Sequence, residues 1–207
     1  MRQPGSVRSL EELGRVRLSK SFFMRDFLYS EIANIYGMPN IPEVPDLAIE
    51  AGRHLCEELL EPLQERFGRI SIRSGYRSRS VNEKGNAHGH GCAANEANYA
   101  AHIWDHRDAA GRLGATACIV VNSFLPYYEE TGHWEALAWW VHDHLPNNNG
   151  LQFFPKLAAF NIAWRQDPVR SIYSYVPPRK GYLTQPGMAG HEGPHEAKYR
   201  DFLNRLA

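Results

Sequence analysis

Three short stretches of this chain concentrate side chains able to do chemistry: Ser74-Gly75-Tyr76-Arg77-Ser78, then His88-Gly89-His90-Gly91-Cys92-Ala93-Ala94-Asn95, then Asn161-Ile162-Ala163-Trp164-Arg165. A guanidinium at the end of a Ser-Gly-Tyr turn offers a planar fork of donors, the shape that clamps a carboxylate or phosphate; bracing the turn is its alternative role. His88, in a glycine-rich loop with His90 close by, suits zinc ligation or a hydrogen-bonded place in a pocket. His102-Ile103-Trp104-Asp105-His106 spaces two imidazoles at i and i+4, one face of a helix, where a packed or solvated face is the plainer reading. His142-Asp143-His144 follows Trp139-Trp140-Val141 within a stretch of helical period.

The elements that must position these residues are readable from periodicity. Leu47, Ala51, Leu55, Leu59 and Leu63 recur every four residues and predict a helix over Asp46–Phe67, kinked or divided near Pro62 and stopped by Gly68. Arg69–Ser74 alternates as a strand with Ile70 and Ile72 inward, and the Ser74–Ser78 turn follows it. Helices are also expected within Met24–Ile32, over residues 93–108, over Trp134–Leu145 and from Glu196 to Leu206, with a shorter one at Ser9–Leu13. Strands are expected at Ala115–Val121, Leu151–Phe154, Ala158–Arg165 and Ser171–Val176. The aromatics Trp139, Trp140, Phe153, Phe154, Phe160 and Trp164 read as core, and His191 and His195, in a Gly- and Pro-rich segment, read as solvated.

This mixture predicts an α+β fold, a central antiparallel sheet flanked by helices. Residues 1–17 form an N-terminal arm, 18–180 the domain, and 181–207 a C-terminal tail with a short helix. Lys+Arg and Asp+Glu both count 23, so the net charge is zero, which argues against a nucleic-acid partner held by phosphate charge. No apolar run is long enough to span a membrane and no secretory signal is read at the N-terminus, so a cytosolic protein with no membrane partner is expected, or a phage product that leaves the cell by another route. Three widely spaced cysteines, Cys56, Cys92 and Cys118, predict buried thiols in a reducing compartment rather than a disulfide framework.

In their order along the chain, the three stretches resemble the D-alanyl-D-alanine carboxypeptidase/dipeptidase family of zinc peptidases, whose fold is shared by the hedgehog signalling domain. That family carries a Ser-Gly-Tyr-Arg turn after a helix and strand, then Ser-x-His-x-x-Gly-x-Ala-x-Asp, and near its end Glu-x-x-Trp-His. Leu60-Glu-Pro-Leu-Gln-Glu-Arg-Phe-Gly68 and the opening Leu18-Ser-Lys-Ser-Phe add to the likeness, which runs well over Leu18–Asn95 and is loose afterwards. The resemblance implies a zinc held by His, Asp and His, a Glu base that takes a proton from the zinc-bound water, and an Arg clamp on the substrate carboxylate.

Carried over residue by residue, Arg77 matches the clamp and His88 the first ligand, but Asn95 stands at the Asp ligand, Asn161 at the base and Arg165 at the last ligand. Asn86 replaces the Ser two positions before His88. A carboxamide cannot act as a base, and a protonated guanidinium has no lone pair for zinc. Two expectations follow. One is a peptidase or amidase acting on cell-wall-type peptides through a rearranged zinc site, with His88 and Asn161 at the catalytic positions and His90, His102 or His142 joining His88 on the metal. Ser74, Tyr76, Arg77, Asn95 and Arg165 then contact substrate. The other is a metal-free descendant of the fold that binds a small carboxylate or performs a different reaction, with Arg77 and Arg165 as anion contacts.

Overall fold

The computed structural model describes residues 1–206. Strands β1 (Ile70–Ser74), β2 (Gly114–Val121), β3 (Asn148–Phe153), β4 (Phe160–Arg165), β5 (Ser171–Ser174) and β6 (Gly181–Thr184) form one sheet in the order β1-β2-β4-β3-β5-β6. Neighbours run antiparallel except β3 and β5, which are parallel, so the architecture is α+β with a mostly antiparallel sheet. The helices are α1 (Val7–Gly14), α2 (Glu31–Tyr36), α3 (Pro45–Leu55), α4 (Glu61–Phe67), α5 (Arg79–Ala87), α6 (Asn95–Asn98), α7 (Leu125–Thr131), α8 (Glu135–His144) and α9 (Glu196–Leu206).

Period-two alternation gives the sheet two unlike faces. Ala115, Ala117, Ile119 and Val121 of β2, Phe160, Ile162 and Trp164 of β4, Phe153 of β3 and Ile172 of β5 enter the hydrophobic core. Their neighbours Thr116, Cys118, Asn161, Ala163, Arg165, Gln152, Ser171 and Tyr173 line an open cavity on the other side. The core is completed by Leu55, Leu59 and Leu63 from the α3–α4 ridge and by Leu137 and Val141 of α8, all fully buried. Each such side chain contributes roughly 1.5–3 kcal/mol relative to exposure.

The long leucine-spaced stretch is not one regular helix. A π turn over Cys56–Leu60 separates α3 from α4, and Pro62 falls in the first turn of α4, where its missing N–H costs nothing. Buried Glu61 accepts from the hydroxyls of Ser19 at 2.8 Å and Ser21 at 3.0 Å, so the Leu18-Ser-Lys-Ser opening is fastened to the break. From the π turn, Glu58 accepts from the Trp164 indole N–H at 2.8 Å, tying this ridge to β4.

Several expectations need correction. Residues 93–108 are not a helix: only Asn95–Asn98 is helical, and turns follow. Ala100 has a left-handed φ of 54°, and the segment spends its backbone on neighbours, with Arg77 N donating to His102 O at 2.8 Å and Thr116 N to Ala101 O at 3.0 Å. Met24–Ile32 divides into a 3-10 turn, Met24–Phe27, and the start of α2, which Ser30 caps. Helices α5 and α7 and strand β6 lie where no element was expected. Neither end stands apart from the domain: Leu13 of α1 is fully buried, β6 pairs with β5, and Phe202 of α9 packs edge-on against Phe124 at 4.8 Å. Among the described residues no helix is long and apolar enough to cross a membrane.

Candidate functional site

The Ser74–Ser78 turn is a fixed object. Gly75 lies against Phe27, where a Cβ would stand 2.8 Å from the Phe27 Cβ, so no larger residue fits. Asn40 pins the turn from below, its Nδ2 donating to Tyr76 O at 2.9 Å and its Oδ1 accepting from Ser78 N at 2.8 Å. Ser78 then caps α5, its hydroxyl accepting from Val81 N at 3.3 Å. Tyr76 is buried edge-on to Trp104 at 6.2 Å and belongs to the core as well as to the wall of a smaller cavity, not to the main cleft.

Arg77 projects half-buried from this turn into a cavity of about 950 Å³ on the open face of the sheet. One guanidinium nitrogen, Nη1, donates to Asn82 Oδ1 at 2.9 Å and to Cys92 Sγ at 3.0 Å. Those partners are neutral side chains, and no carboxylate among the described residues pairs with Arg77, so its charge stays uncompensated. His102 lines the same cavity, its Nδ1–H donating to Gly75 O at 3.0 Å; burial first, then the Arg77 charge, pushes its imidazole down from 6.5 to about 4. Cys118 on the floor is pushed up to about 11 by burial, so its thiol stays protonated and is a poor nucleophile.

Of the residues singled out in the sequence, Ser74, Arg77, His90, His102, Asn161 and Arg165 do share this cavity. The turn, the glycine-rich loop and β4 therefore converge. Their side chains are not equally available. The carboxamides of Asn161 and Gln152 bond each other at 3.0 Å across β4 and β3. Arg165 donates to the carbonyls of Tyr99 and Ala100, each at 3.3 Å, and lies 3.6 Å from Asp108. It braces the 99–108 segment against the end of β4 rather than standing free as an anion contact.

His88 and Asn95 do not line the cavity. His88 is exposed, with Nδ1 at 3.0 Å from Lys84 O and its ring beside Tyr36. Asn95 is half-buried and its Oδ1 accepts from Asn82 Nδ2 at 2.8 Å. His90 holds the hydroxyl of Tyr36 at 2.9 Å through Nε2. The zinc set drawn from the resemblance is thus not assembled: His88 faces away, Asn95 is consumed by Asn82, and Arg165 brings a cation. These residues do not fit zinc. His106, expected on one helical face with His102, instead stacks on Tyr99 at 5.0 Å.

His142 is elsewhere altogether, fully buried on α8, and does not join His88. It groups with Asp143 and His195, whose ligating atoms all lie within 4.8 Å, a set able to hold a metal ion. His191 is 4.9 Å from His142, ring to ring. The solvated reading of His191 and His195 is overturned: His191 is 4% exposed and the His195 side chain 10%. Only their content of imidazole signalled this, since the surrounding Gly and Pro mask a segment that folds back on α8. Phe154, expected in the core, lines the main cavity and stacks on Tyr175 at 5.4 Å. Tyr173 on β5, Tyr175 just beyond it and Tyr182 on β6 were missed as cleft residues, because a strand pattern at Ser171–Val176 does not tell which face meets a cavity and the Gly- and Pro-rich surroundings hid β6.

Compared with known proteins, the chain matches no family model, no curated protein and no solved structure.

Proposed function

We propose that the cleft binds a small carboxylate-bearing ligand of peptide type and uses no metal to do so, in a descendant of the D-alanyl-D-alanine peptidase fold. One observation carries this reading: the residues lining the cleft include Arg77, whose charge has no acidic partner, and contain neither Asp nor Glu. An unpaired, half-buried cation recruits an anion, and a planar guanidinium suits a carboxylate. The same lining offers no carboxylate base, and its neutral His102 leaves Arg77 as the charge a ligand meets at that end. The resemblance supports the fold and the clamp role of Arg77. At the far end, Tyr173, Tyr175 and Tyr182 supply ring faces and hydroxyls for the rest of the ligand. Ser74, Arg77 and His90 also border the smaller cavity of about 350 Å³, where Tyr29, Ile35 and Tyr36 give apolar walls, so the anionic group sits between two chambers.

Calorimetric titration with N-acetyl-D-alanyl-D-alanine and with its C-terminal amide tests the reading. The free acid should bind and the amide should bind at least about tenfold more weakly, since a charge-assisted contact is worth roughly 1.5–3 kcal/mol. Arg77→Met should abolish the preference. Equal binding of acid and amide, or cleavage of the dipeptide on addition of zinc, would overturn it, the latter in favour of a peptidase.

A further inference from the structure

We propose that His142, Asp143 and His195, with His191 as a fourth donor, form a structural site for a zinc-class divalent cation that staples the C-terminal segment to α8. None of these residues lines the cleft, so the site is separate from the proposed ligand site. Three imidazoles and one carboxylate are a tetrahedral nitrogen and oxygen donor set that such ions favour. With metal–nitrogen bonds of about 2.0–2.1 Å, two rings on one tetrahedral ion have centroids about 5 Å apart. The His142 ring lies 4.9 Å from His191 and 5.4 Å from His195, near-perpendicular to both.

The surroundings resemble an outer shell that orients ligands. His195 Nε2 faces Gly190 O at 2.7 Å, which leaves Nδ1 turned to Asp143 Oδ1 at 2.6 Å. Asp143 Oδ2 accepts from His195 N at 2.7 Å and from the Tyr199 hydroxyl at 3.1 Å, holding Oδ1 towards the cluster. His191 Nδ1 meets the Thr184 hydroxyl at 3.0 Å, and the His195 ring stacks on Trp139 at 4.0 Å. His142 Nδ1 lies 3.6 Å from Asp143 Oδ1, and its Nε2 is buried with no hydrogen-bond partner. A buried imidazole nitrogen left unsatisfied is destabilising, and a bound cation at this ring relieves that. On loading, the ion displaces the proton shared by His195 Nδ1 and Asp143 Oδ1, which leaves to solvent.

One group opposes the ion. Arg170 Nη2 lies 3.3 Å from His142 Nδ1 while donating to His142 O at 2.8 Å, and Arg170 has a left-handed φ of 58°. Its charge should weaken cation binding, which gives the proposal a sign as well as a stoichiometry.

The test is zinc titration of the metal-stripped full chain, read by calorimetry and by metal content after dialysis. One zinc per chain held more tightly than about 1 µM is expected. His195→Gln and Asp143→Asn should each lose at least about a hundredfold in affinity, Arg170→Gln should gain about tenfold, and His88→Ala with His90→Ala should change nothing. Zinc should also slow proteolysis of the segment after residue 184 in the parent but not in His195→Gln. Absence of stoichiometric zinc, binding that survives His195→Gln, binding lost in the 88/90 variant, or affinity unmoved or weakened by Arg170→Gln would each overturn the assignment. The carboxylate titration above reads the cleft alone, so either reading can fail without the other.

Discussion

Acid should destabilise this protein in part through one imidazole. In the folded chain His102 is held neutral, with a value of about 4 in place of the ordinary 6.5, because burial and the Arg77 charge both disfavour the imidazolium. At about pH 7.5 and above, almost no His102 is protonated in either the folded or the unfolded chain, and it makes no pH-dependent contribution. Below that, the unfolded chain binds a proton that the folded chain refuses, so stability falls as pH drops towards about 4. Between about pH 7.5 and pH 5 the linkage amounts to about 2 kcal/mol, at 1.36 kcal/mol per unit. His102→Asn removes the titration and keeps an amide N–H that can reach Gly75 O. Urea unfolding of both proteins at the two pH values isolates the effect, because every other titrating group is common to them. The parent should lose about 2 kcal/mol more than the variant over this range. Equal losses would refute the account of His102 as a buried neutral base beside Arg77.

Other expectations concern the scaffold of the cleft. Gly114→Ala would place a Cβ 2.2 Å from the Ala100 carbonyl oxygen and 2.9 Å from that of Trp164, both backbone, and should cost more than about 2 kcal/mol in thermal or urea unfolding. Arg165→Met should release the 99–108 segment from β4, seen as faster amide exchange there, with a loss of roughly 1–3 kcal/mol from the orphaned carbonyls and Asp108. The pair Asn95→Asp with Arg165→His restores two residue types of the resembled zinc peptidases but should create no stoichiometric zinc site in the cleft, because His88 faces out towards Lys84; one more zinc per chain in that double variant than in the parent, by metal analysis, would contradict the placement.

Much of the scaffold was legible in the chain. Strand β2 reads as a short buried apolar run and β4 is legible as a strand, and the α3–α4 ridge announces itself by leucines every four residues and a divide close to Pro62, though not by the π turn that lets Glu58 reach Trp164. The turn at Ser74–Ser78 and its nearness to Asn161 were also readable as motifs. The segment 93–108 was not, because its helical spacing is outcompeted by backbone hydrogen bonds to the β1 turn and to β2, which only the assembled sheet supplies. The roles within the cleft were hidden for a related reason. Whether Arg165 is free or spent, and whether His88 looks inward, depends on partners such as Ala100 O and Lys84 O that carry no side-chain signature.

The two-faced sheet has an evolutionary reading. Thr116, Cys118, Asn161 and Ala163 occupy one side of strands whose alternate residues hold the apolar interior together. Exchanges among the former leave the latter untouched, so a lineage can discard one set of reactive groups, drift, and acquire another recognition role without ever passing through an unfolded ancestor.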